Sequence, residues 1–546
     1  MADMSFDVVI VGGQKAGVTA MYLTKYGGMS VGLFEERHEL FSGFCQEEAA
    51  APGFVAHQCS HAHNSWLNYH RPLWEDIPEW KEYGAIYQDH KVNTAVVILE
   101  DDTWVGTYSR TTDPNQEKTA KLFARFSQKD ADTWLWMYDK IQKYWEPALL
   151  EWCFNPAVPY GKEDAFDRLI RNPDAGIDPL WLSMSPIQFY RDVFESPEIQ
   201  ASFLRPIQSQ GVVPDGWAQG LLCTAVWLPY SIDFGVVKGG NHQLAHAMQR
   251  VILQYGGKVF TRKPVKKVLI ENGRAKGIRL EDGTEIEAKY AVLIGVDPYQ
   301  FVFELVGPEY FDPIDVKRVK NLEMDFVTIG WYTWALHERP KYKAEVFDPD
   351  CKYMGWGVLG SKDINEVIKE NARRRMGLFP DPDHLGMVVS DHCIIDPQYA
   401  PAGKHVVLTE TYLQPAWCLS EKEWKEYEKR HADEILKYWQ KYAPNMTWDN
   451  VIGYLPITPH YSSKHARNWG KAGNIVVIDG CLSQIGRNRP TPNLASGRTP
   501  VKGLYATGAG WHPFGGANSM QGYCAYKVMA EDLGLRKPWE EKGRAY

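Results

Sequence analysis

The sequence predicts an α/β fold that is organised around a dinucleotide-binding βαβ unit at the N-terminal end. Three observations support this prediction. An apolar, β-branched run covers residues 6–11, a turn follows at Gly12 and Gly13, and helical spacing continues over residues 16–26. Glycines permit the tight turn, and the free backbone N–H groups at the start of the helix bind a pyrophosphate.

A second strand, expected over residues 30–34, ends at Glu35 and Glu36. This is about the spacing at which a carboxylate binds a ribose hydroxyl. The glycine pattern is incomplete, because G-x-G-x-x-G needs glycine at the position of Gln14, although its last glycine is present as Gly17. If position 14 adopts a positive φ, a side chain there costs about 1–2 kcal/mol. A glycine-rich turn of some other α/β protein is the alternative interpretation.

Length, charge and cysteine content narrow the class of protein. The chain of 546 residues is too long for one core, so we expect two or three domains. Its net charge is −8 and it has no basic block, which argues against nucleic acid as a partner. Nine scattered cysteines without a C-x-x-C pair indicate reduced thiols. We expect no signal peptide or membrane span, and therefore a cytoplasmic protein, with peripheral contact to a membrane left open.

Aromatic residues are abundant, with 21 tryptophans, 29 tyrosines and 21 phenylalanines. This content is typical of a pocket for an apolar molecule, or simply of a large aromatic core. His57, Cys59, His61 and His63 have the composition of a metal site, but their spacing matches no common structural zinc pattern. We therefore expect no metal, and interpret these residues as polar groups that line a pocket.

The character of the chain changes several times along its length. Residues 65–230 and 310–460 are mixed and rich in aromatic residues, whereas α/β patterns return over residues 235–298. Residues 355–360 fit G-x-G-x-x-G but follow no apolar strand, so we exclude them as a nucleotide site. These changes predict a discontinuous cofactor-binding domain and a discontinuous, mixed α+β substrate domain. The expected bounds are 1–70, 233–308 and 466–546 for the cofactor-binding domain, and 71–232 and 309–465 for the substrate domain.

The C-terminal stretch repeats the strand, turn and helix pattern of the N-terminus. A short strand over residues 503–507 runs into a turn at Gly508 and Gly510, and a helix is expected over residues 518–532. We expect a second approach of the backbone to the cofactor here, with another helix N-terminus directed at it.

Three separated blocks of the chain resemble the phytoene desaturase and carotenoid isomerase group of FAD-dependent oxidoreductases, in the wider amine-oxidase-like superfamily. Residues 7–54 look like the D-x-x-V-I-G-x-G-x-x-G opening of this family, and residues 235–298 are similar to its glycine, helix and strand segment. Residues 473–513 form the most specific block. With residues 127–132, this block looks closest to the branch named after pyridine nucleotide-disulphide oxidoreductase domain protein 2.

The resemblance implies a Rossmann-like FAD-binding domain. It implies that the pyrophosphate lies at the Gly12 turn, the adenosine ribose on Glu35, the adenine against the Val265 backbone, and the flavin beside Ser42 and the 508–512 segment. The residues implied around FAD are Gly12, Gly13, Gln14, Ala16, Gly17, Glu35, Glu36, Arg37, Ser42, Gly43, Phe44, Val265, Gly508, Gly510, Trp511, His512, Asn518, Ser519 and Met520.

The resemblance also implies an activity. A hydrophobic alkene, alicyclic or terpenoid substrate would lose a hydride to the flavin, and the electrons would pass to a quinone or another acceptor. The substrate would then lose a proton to form a double bond, or be captured by water; a limonene dehydrogenase-like reaction is one such form. His61 and His512 are our candidates for proton transfer, with a structural role as the alternative for each.

Other functions stay open at this point. One is a redox-neutral, flavin-dependent isomerase. Another is a non-catalytic FAD-fold subunit of a hetero-oligomer that acts with a paralogous partner. An amine oxidase is a weaker third alternative, because the three blocks are more similar to the desaturase branch.

Overall fold

The computed structural model describes most of the chain, and the statements below concern only this part. The described residues are 3–41, 46–57, 70–92, 96–207, 212–221, 228–229, 231–233, 235–516 and 518–546.

Eighteen strands are found in the described ranges. They are β1 Met4–Val11, β2 Val31–Phe34, β3 Gln46–Glu47, β4 Ala56–His57, β5 Tyr87–Asp89, β6 Val97–Ile98, β7 Trp104–Val105, β8 Gly235–Val237, β9 Lys258–Phe260, β10 Val265–Glu271, β11 Arg274–Leu280, β12 Glu285–Ile294, β13 Ile329–Leu336, β14 Gly357–Leu359, β15 Met387–Asp391, β16 His405–Tyr412, β17 Val451–Ile457 and β18 Leu504–Ala506.

The same ranges contain sixteen α-helices, several of them short. They are α1 Lys15–Lys25, α2 Arg71–Asp76, α3 Pro78–Glu82, α4 Glu117–Phe123, α5 Gln128–Lys140, α6 Glu146–Cys153, α7 Ala165–Arg171, α8 Pro186–Val193, α9 Pro197–Leu204, α10 His242–Gln254, α11 Pro313–Lys320, α12 Asn365–Arg375, α13 Glu421–Gln440, α14 Pro459–His465, α15 Met520–Leu533 and α16 Pro538–Glu541.

The first sheet has a parallel centre, with the strand order β18-β12-β1-β2-β9. β10 and β11 extend it beside β12 as an antiparallel pair. β2 is buried at each of its positions, as is typical of a parallel strand covered on both faces. α1 crosses over from β1 to β2 and packs against α10 and α15. The predicted α/β class and the N-terminal βαβ unit are therefore confirmed.

The second sheet has the order β17-β13-β16-β15-β14-β6-β7 and is mainly antiparallel, except that β14 and β6 run parallel. β13 is buried along its whole length. Its two neighbours, β16 and β17, pair with it on either side. Residues 355–360, excluded above as a nucleotide site, contain β14 of this sheet.

Two sequence-based boundaries differ from the structure. The apolar pattern of the sequence predicts separate strands over residues 285–286 and 290–294, but these residues form one strand, β12, whose middle alternates between buried and exposed residues. The spacing of apolar residues predicts a helix over residues 130–145, but this stretch divides into α5 and a π-helical segment, Ile141–Trp145. The S-x-x-D sequence over residues 127–130 predicts an N-terminal cap, and the Ser127 side chain does accept a hydrogen bond from the Asp130 backbone N–H at 3.1 Å.

The first sheet takes its strands from three separated stretches of sequence, and all seven strands of the second sheet come from residues between them. The exact domain bounds remain a prediction. Within the described ranges, no helix combines the length and the apolar character that crossing a bilayer demands.

The C-terminal tail is fixed to the first sheet's helical layer by a buried carboxylate, Asp76. Arg544 Nη2 lies 2.8 Å from Asp76 Oδ2, and Lys542 Nζ lies 2.7 Å from Oδ1. The Tyr22 hydroxyl donates to the same carboxylate at 2.9 Å. The Asp76 side chain is completely buried, so its charge depends on these partners.

We expect Asp76→Asn to lower the free energy of unfolding by about 3–5 kcal/mol, because it leaves the tail's cations beside a neutral buried group. The measurement is denaturant unfolding followed by circular dichroism. Lys422→Ala is the control, since its ion pair with Glu426 is exposed and such pairs contribute little. Equal stability of the Asp76 variant and the parent chain would contradict this role of the tail.

Candidate active site

A large cleft is lined by the β1–α1 turn, by the ends of β2 and β12, and by strands of the second sheet. Its empty volume, including the part that is open to solvent, is about 1630 Å³. The lining residues from the first sheet and its connections include Gly12, Gly13, Gln14, Lys15, Glu35, Glu36, Arg37, Val265, Gly295, Asp297, Gly508, Ala509, Gly515 and Gly516. Those from the second sheet and the segment that follows it include Ile329, Trp331, Glu410, Asn468, Trp469, Ile475, Val476 and Val477.

The β1–α1 turn requires glycine where the backbone of β12 approaches it. Gly12 has a φ of +94°, and a Cβ there would lie 2.8 Å from the Gly295 carbonyl oxygen. Gly17 is less constrained: it lies within α1, and the atom that a Cβ there would meet, at 2.4 Å, is Sδ of the flexible Met248 side chain. Gln14, in contrast, has a φ of −103°. The expected strain from a side chain at position 14 is therefore absent, and Gln14 lines the cleft without closing it.

Glu35 is held in place by two backbone N–H groups. Its Oε2 accepts from Gly13 N at 2.8 Å, and its Oε1 accepts from Arg37 N at 2.9 Å. Burial raises the pKa of the Glu35 carboxyl, while these hydrogen bonds act in the opposite direction. Each carboxylate oxygen can accept a second hydrogen bond, so the group can still bind hydroxyls of a ligand. Glu36 is more exposed and lies 3.5 Å from Arg467.

Lys15, the first residue of α1, is a buried cation beside the cleft. Its Nζ donates to the carbonyl oxygens of Gly516 and Asn518 at 2.5 and 2.6 Å. Burial, and then the charge of Arg489, hold the pKa of Lys15 well below its ordinary value. The ammonium thus connects the N-terminal turn to the segment that precedes α15.

Arg489 is the second buried cation near this segment. Its guanidinium donates to the carbonyl oxygens of Ala509, Gln484 and Val476 at 2.9, 2.9 and 3.0 Å. Burial lowers the pKa of Arg489 to about 9. In the described part of the chain, neither Lys15 nor Arg489 forms a salt bridge. Together with the N-terminus of α1, they create a positive region that favours an anionic ligand group.

The opposite side of the cleft is formed by neighbouring residues of β13 and β16. Trp331 and Glu410 are directly paired across these strands, and both are almost completely buried. The Trp331 Nε1–H has no hydrogen-bond partner among the described residues, and the ring is tilted against Trp469 at 6.3 Å. This side therefore combines aromatic surface with one carboxylate, Glu410.

Glu410 was not predicted from the sequence. It follows no motif, and its strand pairs with β13, whose residues are some 80 positions earlier in the chain. The one available signal was a single carboxylate within an otherwise uncharged run, residues 406–412. A buried carboxylate in a cleft is a candidate for proton transfer.

Of the sixteen predicted FAD residues within the described ranges, eight line the cleft and eight do not. Ala16 lies in the first turn of α1, just behind the lining residues. Gly510 packs on Pro298, where a Cβ would lie 2.4 Å from the proline ring. Asn518 precedes α15, and its Oδ1 accepts from Met520 N at 3.1 Å. Ser519 is the N-cap residue of α15 and is buried.

Trp511 and His512 lie beside the cleft rather than on its surface. Trp511 packs edge-on against Phe301, with ring centroids 5.7 Å apart. His512 Nε2 is 3.0 Å from the Trp152 carbonyl oxygen, and burial lowers the pKa of His512.

Four predicted site residues lie outside the described ranges, so their roles stay predictions from the sequence. They are Ser42, Gly43, Phe44 and His61.

The chain is similar to several named oxidoreductases, although no protein-family model matches it. It is 24% identical to a limonene dehydrogenase subunit of Castellaniella defragrans, over 98% of this chain and 96% of that protein. It is 30% identical to mouse pyridine nucleotide-disulfide oxidoreductase domain-containing protein 2, over 54% of this chain and 51% of that protein. It is also 29% identical to hydroxyneurosporene desaturase of Cereibacter sphaeroides, over 63% of each chain.

Solved structures match over almost the whole chain. Cyclohexylamine oxidase from Brevibacterium oxydans superposes with a TM-score of 0.56 at 13% identity, covering 97% of this chain and 99% of that one. An oxidoreductase from Methanosarcina mazei gives a TM-score of 0.56 at 16% identity, covering 97% and 100%. These matches confirm the amine-oxidase-like fold class.

The relatives confirm the resemblance found in the sequence. They support a carotenoid desaturase/isomerase-like family of FAD oxidoreductases, and with it an enzyme and FAD as the cofactor. The residues of the cleft fit this cofactor: a close backbone turn, a fixed carboxylate, Glu35, and a buried lysine, Lys15, occur along one continuous space.

We expect Gly12→Ala to destabilise the protein more than Gly283→Ala. Both glycines have a φ near +90°, but a Cβ at Gly283 would meet no atom within 4 Å. The positive φ costs about 1–2 kcal/mol in each variant, and the overlap with Gly295 adds about 1–3 kcal/mol in Gly12→Ala only. The measurement is the free energy of unfolding of the two variants. Equal losses would show that the turn tolerates a side chain.

Proposed function

We propose that this chain is an FAD-dependent dehydrogenase that desaturates, or hydroxylates through a carbocation, a hydrophobic alkene, alicyclic or terpenoid substrate. One observation carries the proposal: the cleft that contains the dinucleotide-type turn is continuous with the aromatic surface and the carboxylate on β13 and β16. A bound cofactor and an apolar substrate could therefore meet in the same enclosed space.

The chain's own residues would bind the cofactor as follows. Glu35 would accept hydrogen bonds from the adenosine ribose, and the Val265 backbone would lie beside the adenine. The N-terminus of α1 and Lys15 would neutralise the diphosphate. Gly508 and Ala509 would allow close approach of the backbone to the ring system. When bound, FAD supplies two-electron oxidation by accepting a hydride from the substrate.

The second sheet would bind and orient the substrate. Trp331 and Trp469 offer apolar area, and aromatic faces stabilise a carbon that develops positive charge. Glu410 would take the proton from the neighbouring carbon, so that loss of a hydride and a proton leaves a double bond; capture by water would give an alcohol instead. The two electrons would leave through an acceptor of the quinone class.

The names of the relatives favour this substrate class, since they include a limonene dehydrogenase subunit and a hydroxyneurosporene desaturase. Because the first of these relatives is named as one subunit of an enzyme, a paralogous partner for this chain is also favoured. His512 and His61 are the alternatives to Glu410 as the proton acceptor. The proposal also includes contact of the protein with a membrane surface.

We expect Glu35→Gln to weaken FAD binding by about 10- to 100-fold, because a hydrogen bond to a charged group contributes about 1.5–3 kcal/mol. The measurement is fluorescence titration of the deflavinated protein with FAD. Glu304→Gln is the control, since this carboxylate pairs with Arg467 at 2.6 Å but does not line the cleft, and its loss should leave the affinity unchanged. Equal affinities in all three proteins would contradict the assignment of the ribose to Glu35.

We expect an apolar terpene to bleach the flavin absorbance of the purified protein under anaerobic conditions, and Glu410→Gln to slow this step by about 100-fold or more. The measurement is stopped-flow absorbance, and the absorption spectrum before mixing reports whether the flavin is retained. Glu428→Gln is the control, because Glu428 accepts from Thr458 outside the cleft. If only His512→Asn slows the reaction, His512 rather than Glu410 is the proton acceptor.

The same experiment separates the rival functions. An isomerase would convert substrate to a product of unchanged mass with no net bleaching. A non-catalytic subunit would give a colourless protein, or a flavin that no substrate reduces until a partner chain is added. Product mass and the need for an electron acceptor distinguish these outcomes.

A further inference from the structure

Glu39, His242 and His246 form a cluster on the first sheet's helical layer, outside the cleft. Each contributes one side-chain atom that can bind a metal, and the three atoms lie within 4.8 Å of one another. His242 Nε2 is 3.0 Å from Glu39 Oε1. The Nε2 of a further histidine, His38, lies 3.8 Å from the same oxygen.

The two helical histidines are placed by the geometry of α10. His242 and His246 are four residues apart, so their rings project from the same face, with centroids 5.6 Å apart. α10 packs against α1 and α3, and Glu39 follows the ribose carboxylate Glu35 by four residues. Two separate parts of the cofactor-binding layer therefore meet at this cluster.

The arrangement matches the requirements of zinc. Zinc binds imidazole nitrogen and carboxylate oxygen at about 2.0–2.2 Å, so that ligand atoms in a tetrahedral site lie about 3.3–3.6 Å apart. Glu39 Oε1 and His242 Nε2, which are 3.0 Å apart, are already close to this spacing. Small side-chain rotations would bring the His246 ring to the same position. Glu39 and His242 are partly buried and His246 is exposed, which leaves a path for the ion to enter.

A second cluster, Asp391, Cys393 and His405, is less suitable. Cys393 Sγ accepts a hydrogen bond from the Val406 backbone N–H at 3.3 Å, and Asp391 Oδ1 accepts from the Cys393 backbone N–H at 3.1 Å. The Asp391 and Cys393 side chains are therefore already used in hydrogen bonds that close a turn at the end of β15. A variant in this second cluster can serve as a control for variants of the first.

We propose that Glu39, His242 and His246 bind a zinc ion, with His38 or water as the fourth ligand. The ion would connect the segment after β2 to α10. It would thereby fix the segment that carries Glu35 against the helical layer. This site is separate from the proposed redox chemistry and does not depend on it.

The test uses the full-length protein with its cofactor retained and any affinity tag removed. The protein is dialysed against EDTA, returned to metal-free buffer, and titrated with zinc chloride by calorimetry at neutral pH. We expect one equivalent of zinc to bind, and the melting temperature to rise with zinc concentration. Absence of saturable binding would overturn the proposal.

Variants locate the site. His246→Asn should weaken zinc binding by about tenfold or more, and His246→Cys should retain it because a thiolate also binds zinc. His246 is exposed, so neither change should disturb the fold; circular dichroism checks this. His405→Asn should leave the affinity unchanged. Undiminished zinc binding in His246→Asn, or loss of binding in His405→Asn, would contradict the assignment.

Discussion

The buried ammonium of Lys15 holds together the two ends of the chain. It belongs to the first helix, yet its hydrogen bonds reach the carbonyl oxygens of Gly516 and Asn518, some 500 residues later. A buried cation without such acceptors would be strongly destabilising. The N-terminal turn and the C-terminal segment must therefore be assembled together, and the shape of the cleft depends on this contact. An anionic group bound beside Lys15 would strengthen the same arrangement.

The sequence was most informative where local rules decide the structure. The β1–α1 turn, the strands of the first sheet and the caps of the helices follow from glycine positions, apolar runs and side-chain caps. Glu35 lies in the cleft because it follows a strand that is parallel to β1, and the ends of parallel strands meet at one edge. The strain that a positive φ would cause at Gln14 does not arise, because this residue precedes α1 with a φ of −103°.

Features that depend on long-range pairing could not be predicted in this way. Glu410 reaches the cleft because β16 pairs with β13, a register that no local pattern encodes. Of the proposed zinc ligands, His242 and His246 are four residues apart, but Glu39 precedes them by some 200 residues, so the complete set matches no local motif. The attachment of the C-terminal tail to Asp76 is likewise a contact between distant parts of the chain. The predicted role of His512 in proton transfer depended on its position in the C-terminal block, residues 473–513. In the structure, its Nε2 lies 3.0 Å from the Trp152 carbonyl oxygen.

The edge strand β18 has a consequence for how the protein is made. It completes the parallel centre of the first sheet, but it lies close to the C-terminus, at Leu504–Ala506. While the ribosome is still synthesising the chain, β12 lacks this neighbour and Lys15 lacks its carbonyl partners. The β1–α1 turn can therefore be completed only after residues 504–518 have been synthesised, and a nascent chain stalled before them would expose an open sheet edge to association with other chains.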